Sequence, residues 1–184
     1  MKDSHLIETT LASDQVFSGV LLDVRRDRVN LPNGKESVRE YIRHPGAVVI
    51  LAMLPNGNLL FERQFRYPLR SVFLELPAGK YDRGEGIMDA ARRELREETG
   101  YEADDWKLLG TMHPCIGYSD ERIDIVLAKS LRQVAEQSLD ENEFIELVEL
   151  GPEAASALVL TGDITDGKTI AALFWLTQIK GNLG

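Results

Sequence analysis

The sequence predicts an α+β protein, in which a small antiparallel sheet precedes a mixed sheet with helices on its faces. Two Asn-Gly pairs, at 33–34 and 56–57, stand between runs rich in β-branched and apolar residues, as in β-hairpins. The run AVVILAML at 47–54 is apolar on both faces, which is typical of a strand covered on both sides. Helical patterns follow at 86–99 and 166–181.

The first 43 residues predict strands joined by tight turns. The segment 16–31 is rich in β-branched residues, Pro-Asn-Gly-Lys at 32–35 is a hairpin signal, and 37–44 fits a third strand. A sheet of about 40 residues cannot bury a core of its own. We therefore divide the chain into an N-terminal antiparallel sheet, 1–43, and a main domain, 44–184.

The middle of the chain predicts a second hairpin, a short strand and a helix. The hairpin spans 46–66 around the second Asn-Gly turn, and the strand in 71–79 stops at Pro77. The helix runs from Gly86 to Thr99, and Gly100 is placed to cap its C-terminus.

The last third of the chain predicts three strands and two helices. The strands lie in 106–114, 121–131 and 143–151, and a helix with Pro152 at its start covers 151–162. The final helix, 166–181, is amphipathic, and its apolar residues include Ile170, Leu173, Phe174 and Leu176.

Composition excludes several classes of protein. The net charge of −9 argues against a general nucleic-acid binder, which needs a basic face. Cys115 is the single cysteine, so an internal disulfide is excluded and a reducing cytoplasm is favoured. No apolar run reaches the roughly 18 residues that span a bilayer, and no secretory-signal pattern opens the chain. We expect a cytoplasmic protein that binds neither nucleic acid nor membrane.

The predicted helix at 86–99 carries a dense charge cluster, with three arginines and three glutamates in 92–98. At about 100° per residue, Glu94, Glu97 and Glu98 share one arc beside the apolar arc. Like charges at this spacing repel each other, so the cluster needs a partner. The alternatives are a solvated face with exposed ion pairs, a charged subunit interface, and a site for a hard cation such as Mg²⁺.

The residues around the cluster favour the cation site. In order, they are Gly79, Glu85 after five residues, Arg93-Glu94-Leu95 after seven more, then Glu97-Glu98 and Gly100-Tyr101. This spacing resembles the Nudix box, G-x5-E-x7-R-E-U-x-E-E-x-G-U, where U is a bulky aliphatic residue and Tyr101 is the one departure. The resemblance implies an α/β/α sandwich and a divalent metal site, for Mg²⁺ or alternatively Mn²⁺, that faces a pyrophosphate.

The same resemblance implies roles for the residues of the box. Glu94 and Glu98 would be the principal metal ligands, with Glu97 sharing or bridging. The carbonyl of Ala78 would complete the coordination. Glu85 would orient Arg93, which would hold the carboxylates in place.

Outside the box, the chain resembles the branch of the family that hydrolyses ADP-ribose and nucleotide sugars. Segments that carry this likeness include RQFRYPL at 63–69 and HPCIGYSDER at 113–122. The resemblance to that branch implies that the base that activates water is a glutamate on a loop after the central strands. Glu141 is the first candidate here and Glu143 the second, while Glu121 is a rival that also shapes the site.

The resemblance also implies substrate contacts and a partner. Arg66 and Arg39 match positions that contact phosphate or ribose, although a surface ion pair is the alternative for each. Phe17 lies near the position of an aromatic residue that stacks on the base, but the matching position is closer to Val20. Glu143 and Glu121 join these substrate contacts. A homodimer that exchanges its N-terminal sheets is expected, with a sheet docked on its own chain as the alternative.

The implied activity is metal-dependent hydrolysis of the pyrophosphate bond of ADP-ribose or another nucleoside diphosphate sugar. The products would be a nucleoside monophosphate and a sugar phosphate. One alternative is a house-cleaning hydrolase of damaged (d)NTPs, which rarely needs an N-terminal sheet. Another is a non-catalytic Nudix domain that senses nucleotides, but the box retains all its carboxylates.

Overall fold

The structure, a computed structural model, describes residues 3–181, of which the last two are described by backbone alone. It divides into two compact units. The N-terminal unit comprises residues up to Pro45 together with Cys115–Glu121, and the larger unit comprises Gly46–Pro114 and the chain from Arg122 onward. No helix among the described residues is long and apolar enough to cross a bilayer.

The N-terminal unit is the expected antiparallel sheet. Strands β1 (Thr9–Ser18), β2 (Asp23–Asn30) and β3 (Glu36–Arg43) pair in the order β1-β2-β3. Gly34 takes a φ of 80° in the turn before β3, a conformation that glycine adopts at little cost. Val29 is the only buried hydrophobic residue within the described part of 1–45. This sheet therefore has almost no core of its own.

The larger unit is built on a mixed four-stranded sheet, which confirms the predicted fold class. The strands β4 (Ala47–Ala52), β7 (Ala78–Lys80), β8 (Tyr101–Met112) and β9 (Ile123–Gln133) lie in the order β7-β4-β9-β8. Only the β4–β9 pair is parallel. Every residue of β4 is buried, as its apolar sequence predicts.

A second, antiparallel sheet of three strands has the order β10-β5-β6. It consists of β5 (Leu59–Arg66), β6 (Ser71–Glu75) and β10 (Ile145–Leu150). The predicted hairpin over 46–66 is therefore wrong beyond its turn. The turn forms, with Gly57 at a φ of 85°, but β4 and β5 enter different sheets and share only the bridge between Met53 and Leu59. The reason is that β7 and β9 occupy both edges of β4.

Within residues 3–181, three helices cover the sheets. They are α1 (Ile87–Thr99), α2 (Pro152–Thr161) and α3 (Gly167–Gly181). Alternate residues of β4 face opposite sides: Val48 and Ile50 pack with α1, whereas Val49 and Leu51 pack with β5 and α3. The prediction for α3 is correct in position, but Phe174 is exposed while Leu173 and Leu176 are buried. The core that contains Val48 and Ile50 packs α1 against β4, next to the strand β7.

Candidate active site

The site is formed where the short strand β7 meets α1. The backbone N–H of Ala78 donates a hydrogen bond of 3.0 Å to Oε2 of Glu98. A Cβ atom on Gly79 would overlap the carboxylate of Glu94, so only glycine allows this close approach. The first glycine of the box therefore brings the loop backbone against the helix carboxylates.

Two of the helix carboxylates are nearly shielded from water. Glu94 is 9% exposed and Glu98 is 6% exposed. Burial raises the pKa of Glu94, and the neighbouring Glu97 and Glu143 add to this effect although Arg93 opposes it. Burial, and then repulsion from Glu62 and Glu94, hold the pKa of Glu98 well above its usual range. The raised pKa values mean that the protein around Glu94 and Glu98 does not fully compensate two ionised carboxylates at this place.

Arg93 ties the box together through five hydrogen bonds. Its Nε and Nη2 atoms each donate 2.9 Å bonds to Glu85, and Nη2 also donates to the carbonyl of Lys80. Its Nη1 atom donates to Glu94 at 2.8 Å and to Glu97 at 3.1 Å. The pKa of Arg93 is raised, chiefly by Glu85. Arg93 thus fixes the loop between β7 and α1 to the helix.

Glu97 differs from its two neighbours in the box, since its side chain is 46% exposed and its hydrogen bond is to Arg93. Among the described residues, no three acidic, histidine or cysteine side chains converge closely enough to hold a metal ion as they stand. The contacts explain this arrangement, because Arg93 draws Glu94 and Glu97 towards itself while Glu98 faces Ala78.

Sequence reasoning missed Glu62, a glutamate in β5 that is 3% exposed. It lies close enough to Glu98 for each carboxyl group to affect the pKa of the other. Burial, and then repulsion from Glu75, raise the pKa of Glu62 to about 8. Its Oε1 atom has no hydrogen-bond partner among the described residues. One sequence feature could have pointed to a buried Glu62. In the segment LLFERQFR it is a charged residue that directly follows three apolar ones.

Arg66 lies at the other side of this acidic group. Its Nε and Nη2 atoms each donate a 2.7 Å hydrogen bond to Glu75, a residue that is 3% exposed. Lys168, at the start of α3, donates to the same carboxylate. The two cations line a cavity of about 320 Å³ with Asp166 and Phe73. Arg66 therefore takes part in a partly buried ion cluster, not in a surface pair.

The two candidate bases on the segment before β10 have different surroundings. Glu143 closes a tight turn, with its N–H donating to the carbonyl of Asp140 and its Oε2 accepting from the N–H of Asp140. Its charge contributes to the raised pKa of both Glu94 and Glu98. Glu141 is exposed and is not among the principal charges that act on either carboxylate. Of the two glutamates, only Glu143 is thus among the principal charges that act on the box carboxylates.

The other predicted site residues lie in the N-terminal unit. Arg39 forms an ion pair with Glu8, in which Nε lies 2.9 Å from Oε2. Phe17 is 55% exposed and Val20 is fully exposed. Glu121 lies 3.7 Å from Nδ1 of His44. Within this unit, Phe17 and Val20 are therefore free to meet a ligand or a second chain.

The residues of the larger unit fit a divalent ion on three counts. A Cβ at Gly79 would displace the Glu94 carboxylate, Oε1 of Glu62 has no hydrogen-bond partner in the described part of the chain, and the candidate ligands all present oxygen atoms. Hard cations such as Mg²⁺ prefer oxygen ligands and carboxylates in particular. An ion at this position would also compensate the buried negative charge of Glu94 and Glu98.

Comparison with known proteins identifies the family. Residues 43–173 match the NUDIX domain, and residues 8–42 match the nucleoside diphosphate sugar hydrolase N-terminal domain. The chain belongs to the Nudix family. As in the family generally, a divalent ion is the expected cofactor of this Nudix protein.

Relatives of this Nudix protein resemble it over most of its length. An ADP-ribose pyrophosphatase of Bacillus subtilis is 42% identical over 176 residues, which cover 95% of each chain. A GDP-mannose pyrophosphatase of Yersinia enterocolitica is 36% identical and covers 80% of this chain and 81% of its own. The crystal structure of an ADP compounds hydrolase superposes with a TM-score of 0.87 at 26% identity, covering 97% of both chains.

Proposed function

We propose that this Nudix protein hydrolyses the pyrophosphate bond of ADP-ribose or another nucleoside diphosphate sugar. The ion would be Mg²⁺, with Mn²⁺ as the alternative. The observation that carries this proposal is the pair of shielded carboxylates, Glu94 and Glu98, packed against the backbone of Ala78 and Gly79. The names of the relatives support the same substrate class.

Each box residue has a role in this proposal. Glu94, Glu98 and the carbonyl of Ala78 would hold the ion, and Glu97 would join them. Glu85 and Arg93 keep the carboxylates in position through their mutual hydrogen bonds. When bound, a divalent ion neutralises phosphate oxygens and lowers the pKa of a water molecule.

Glu141 and Glu143 are the proposed candidates for the base, and Glu143 is preferred because its charge is among those that act on Glu94 and Glu98. Glu143 accepts a proton from the attacking water while the water oxygen forms a bond to one phosphorus atom. The bond between that phosphorus and the bridging oxygen breaks, and the bridging oxygen leaves with the other phosphate. Arg66, held by Glu75, is the proposed phosphate contact.

The N-terminal sheet, residues 1–43, is proposed to mediate a cytoplasmic homodimer and to supply substrate contacts. Its exposed apolar side chains support this role, since Phe17, Val20 and Val38 are all more than half exposed. Arg39 and Phe17 are the proposed substrate contacts of the sheet, with Glu121 as a third from the same unit. Exchange of the sheets between two chains remains part of this proposal.

A substrate panel with one variant tests the activity. The wild-type protein is incubated with Mg²⁺ and ADP-ribose, GDP-mannose, UDP-glucose, NADH or dGTP, and phosphate is counted after phosphatase treatment, or after inorganic pyrophosphatase treatment for dGTP, whose own terminal phosphate a phosphatase would remove. We expect release from a nucleotide sugar, and a loss of several orders of magnitude in Glu98→Gln because a metal ligand is removed. Glu149→Gln, on the exposed face of β10, is the matched control. Release from dGTP alone would favour the house-cleaning alternative, and no release at all would refute enzymatic activity.

A further inference from the structure

The start of helix α3 is anchored to the end of strand β6. The backbone N–H of Leu76 donates a 2.9 Å hydrogen bond to Oγ1 of Thr169, a buried residue. The preceding residue of the helix, Lys168, donates from Nζ to the carboxylate of Glu75. Two consecutive residues of α3 thus contact two consecutive residues of the chain around the end of β6, and all four belong to the larger unit.

Asp166 holds Lys168 in this position. Its backbone carbonyl accepts the N–H of Ile170 and its Oδ2 atom accepts the N–H of Thr169 at 3.0 Å, as at the N-cap of a helix. The same Oδ2 atom accepts from Nζ of Lys168 at 3.0 Å. The ammonium group therefore lies between two carboxylates that use two of its three donors, and the Lys168 side chain is only 15% exposed.

Glu75 connects Lys168 to Arg66. Its Oε2 atom accepts from both cations, while its Oε1 atom accepts from Nε of Arg66. Two parallel bonds of this kind fix the plane of a guanidinium group. The Nη1 atom of Arg66 forms no hydrogen bond among the described residues, and this side chain is 43% exposed. Both cations line the cavity of about 320 Å³, but Arg66 is the one with an edge free for a ligand.

We infer that Lys168 is a positioning residue for the phosphate contact of Arg66. Lys168, itself held by Asp166, keeps the Glu75 carboxylate from rotating. Glu75 in turn keeps the free edge of Arg66 in one orientation before the substrate binds, which lowers the entropic cost of binding. This inference rests on the proposed function, because it needs Arg66 to contact a phosphate of the nucleotide sugar.

Two other roles of Lys168 are compatible with the same contacts. Its third N–H could bind a phosphate directly, in which case Lys168 and Arg66 would affect substrate affinity independently of each other. Alternatively, Lys168 could serve only to anchor α3, in which case its loss would lower stability without changing KM. The three roles differ in measurable ways.

The test is steady-state hydrolysis, with Mg²⁺, of the preferred nucleotide sugar among ADP-ribose, GDP-mannose and UDP-glucose. Lys168→Met removes the charge and the donors from a side chain of similar length. KM is expected to rise by about 5- to 50-fold, because charge-assisted hydrogen bonds that align Arg66 are lost, while kcat stays within about 3-fold. Lys168→Arg restores the charge and the donors, and its KM should lie within about 3-fold of wild type.

Lys129→Met is the matched control, since it removes a lysine from the exposed ion pair with Asp105 and should leave KM within about 2-fold of wild type. Should Lys168→Met fail to fold, Lys168→Gln takes its place, because it keeps a polar side chain beside Glu75. Its KM should still rise by about 3-fold or more, since the charge is lost.

A double variant separates positioning from direct contact with the substrate. Arg66→Lys retains a cation for Glu75 but lacks the planar group that Glu75 aligns. In that background, Lys168→Met should raise KM by less than about 2-fold more, because no guanidinium is left to position. An undiminished further rise would show that Lys168 binds the substrate itself, which contradicts the inference.

Thermal unfolding separates positioning from a purely structural role. Lys168→Met and Thr169→Val each remove a hydrogen bond between α3 and residues 75–76, so both should lower Tm. Only Lys168→Met should raise KM, because Thr169→Val leaves both cations of Glu75 in place. An equal rise in KM in both variants would reduce Lys168 to an anchor of the helix.

The outcomes also distinguish this inference from the proposed function. If the wild-type protein hydrolyses a nucleotide sugar and Lys168→Met does so with an unchanged KM, the inference alone is overturned. If the wild-type protein hydrolyses no compound of the panel, the proposed function is overturned and the inference with it.

Discussion

Glu143 and Glu141 lie two positions apart on the segment before β10, yet they have different surroundings. Glu143 is held by the turn at Asp140 and its charge reaches Glu94 and Glu98, whereas Glu141 is exposed. We expect Glu143→Gln to lower kcat by about 10²- to 10⁴-fold, the usual contribution of a general base. Steady-state kinetics and Mn²⁺ titration would show the loss of rate with metal affinity retained.

Glu141→Gln is the matched control for that variant, because it removes the same charge from the same turn. Its kcat should stay within about 2-fold of wild type, as for most exposed substitutions. A large loss of rate in Glu141→Gln, with none in Glu143→Gln, would restore the base suggested by the sequence alone.

The surroundings of Glu62 could not be predicted from the sequence pattern. Period-two alternation along a strand predicts which side chains share a face, but not which element packs on that face. The Nudix box could be recognised because its residues are close in sequence. The electrostatic interaction between Glu62 and Glu98 joins positions that are far apart in the chain, and only the packing of β5 and α1 brings them near each other.

At the scale of an element, the end of α1 depends on Gly100. Its φ is 75°, its N–H donates to the carbonyl of Arg96, and an added Cβ would overlap the carbonyl oxygen of Ala135. Gly100→Ala should therefore lower the free energy of unfolding by about 1–2 kcal/mol for the left-handed backbone, and by a further 1–3 kcal/mol or so for the overlap. Urea unfolding measures both.

Gly57→Ala isolates the first of these two costs. Gly57 has a φ of 85°, but a Cβ there would meet nothing within 4 Å. Its loss of stability should be limited to about 1–2 kcal/mol. Equal losses in Gly57→Ala and Gly100→Ala would show that Ala135 moves aside without cost.

The elements themselves were largely predictable, because strands and helices follow local patterns. The segment 86–99 has a clear helical pattern with a terminal glycine, and the structure gives Ile87–Thr99 with Gly100 as its cap. That β4 and β5 enter different sheets was not predictable from the turn at Gly57. A turn determines only that the chain reverses, whereas the strands that arrive later, β7 and β9, decide which edges of β4 are free.

At the scale of the whole molecule, the N-terminal sheet has a single buried hydrophobic residue among its described residues, which favours association of two chains. We expect sedimentation to give a species of twice the 20.6 kDa chain mass. Val38→Asp, on the N-terminal sheet, should shift the equilibrium towards monomer because it places a charge on an exposed apolar strand. Leu160→Asp, at a more exposed apolar residue of α2, is the control and should not. A wild-type monomer at micromolar concentrations would contradict the homodimer.

Acid stability depends on Asp124, a buried carboxylate that joins three parts of the larger unit. It accepts hydrogen bonds from Tyr81 at 2.7 Å, from Thr111 at 2.6 Å and from Arg122 at 2.7 Å. Burial alone would raise the pKa of Asp124, but these bonds outweigh it and the pKa is lowered. Its contribution to stability is therefore complete above the ordinary pKa of 3.8 and is lost as the pH falls through the lowered value.

Asp124→Asn should consequently lose about 2 kcal/mol of unfolding free energy at neutral pH, and should show a flatter decline than wild type below pH 4 or so. Urea unfolding across pH 3–7 would measure both effects. The exposed Asp105, paired with Lys129, provides the control, since Asp105→Asn should change stability by less than about 1 kcal/mol. Parallel pH curves for wild type and Asp124→Asn would contradict the assignment.

The hydrogen bonds from Arg93 to Glu94 and Glu97 bear on the proposed binding of an ion. The guanidinium takes one oxygen of each carboxylate, so a dication held by both residues would either compete with Arg93 for those oxygens or use the other oxygen of each. Before any ion binds, Arg93 is thus the positive charge that offsets part of the repulsion between these two acids.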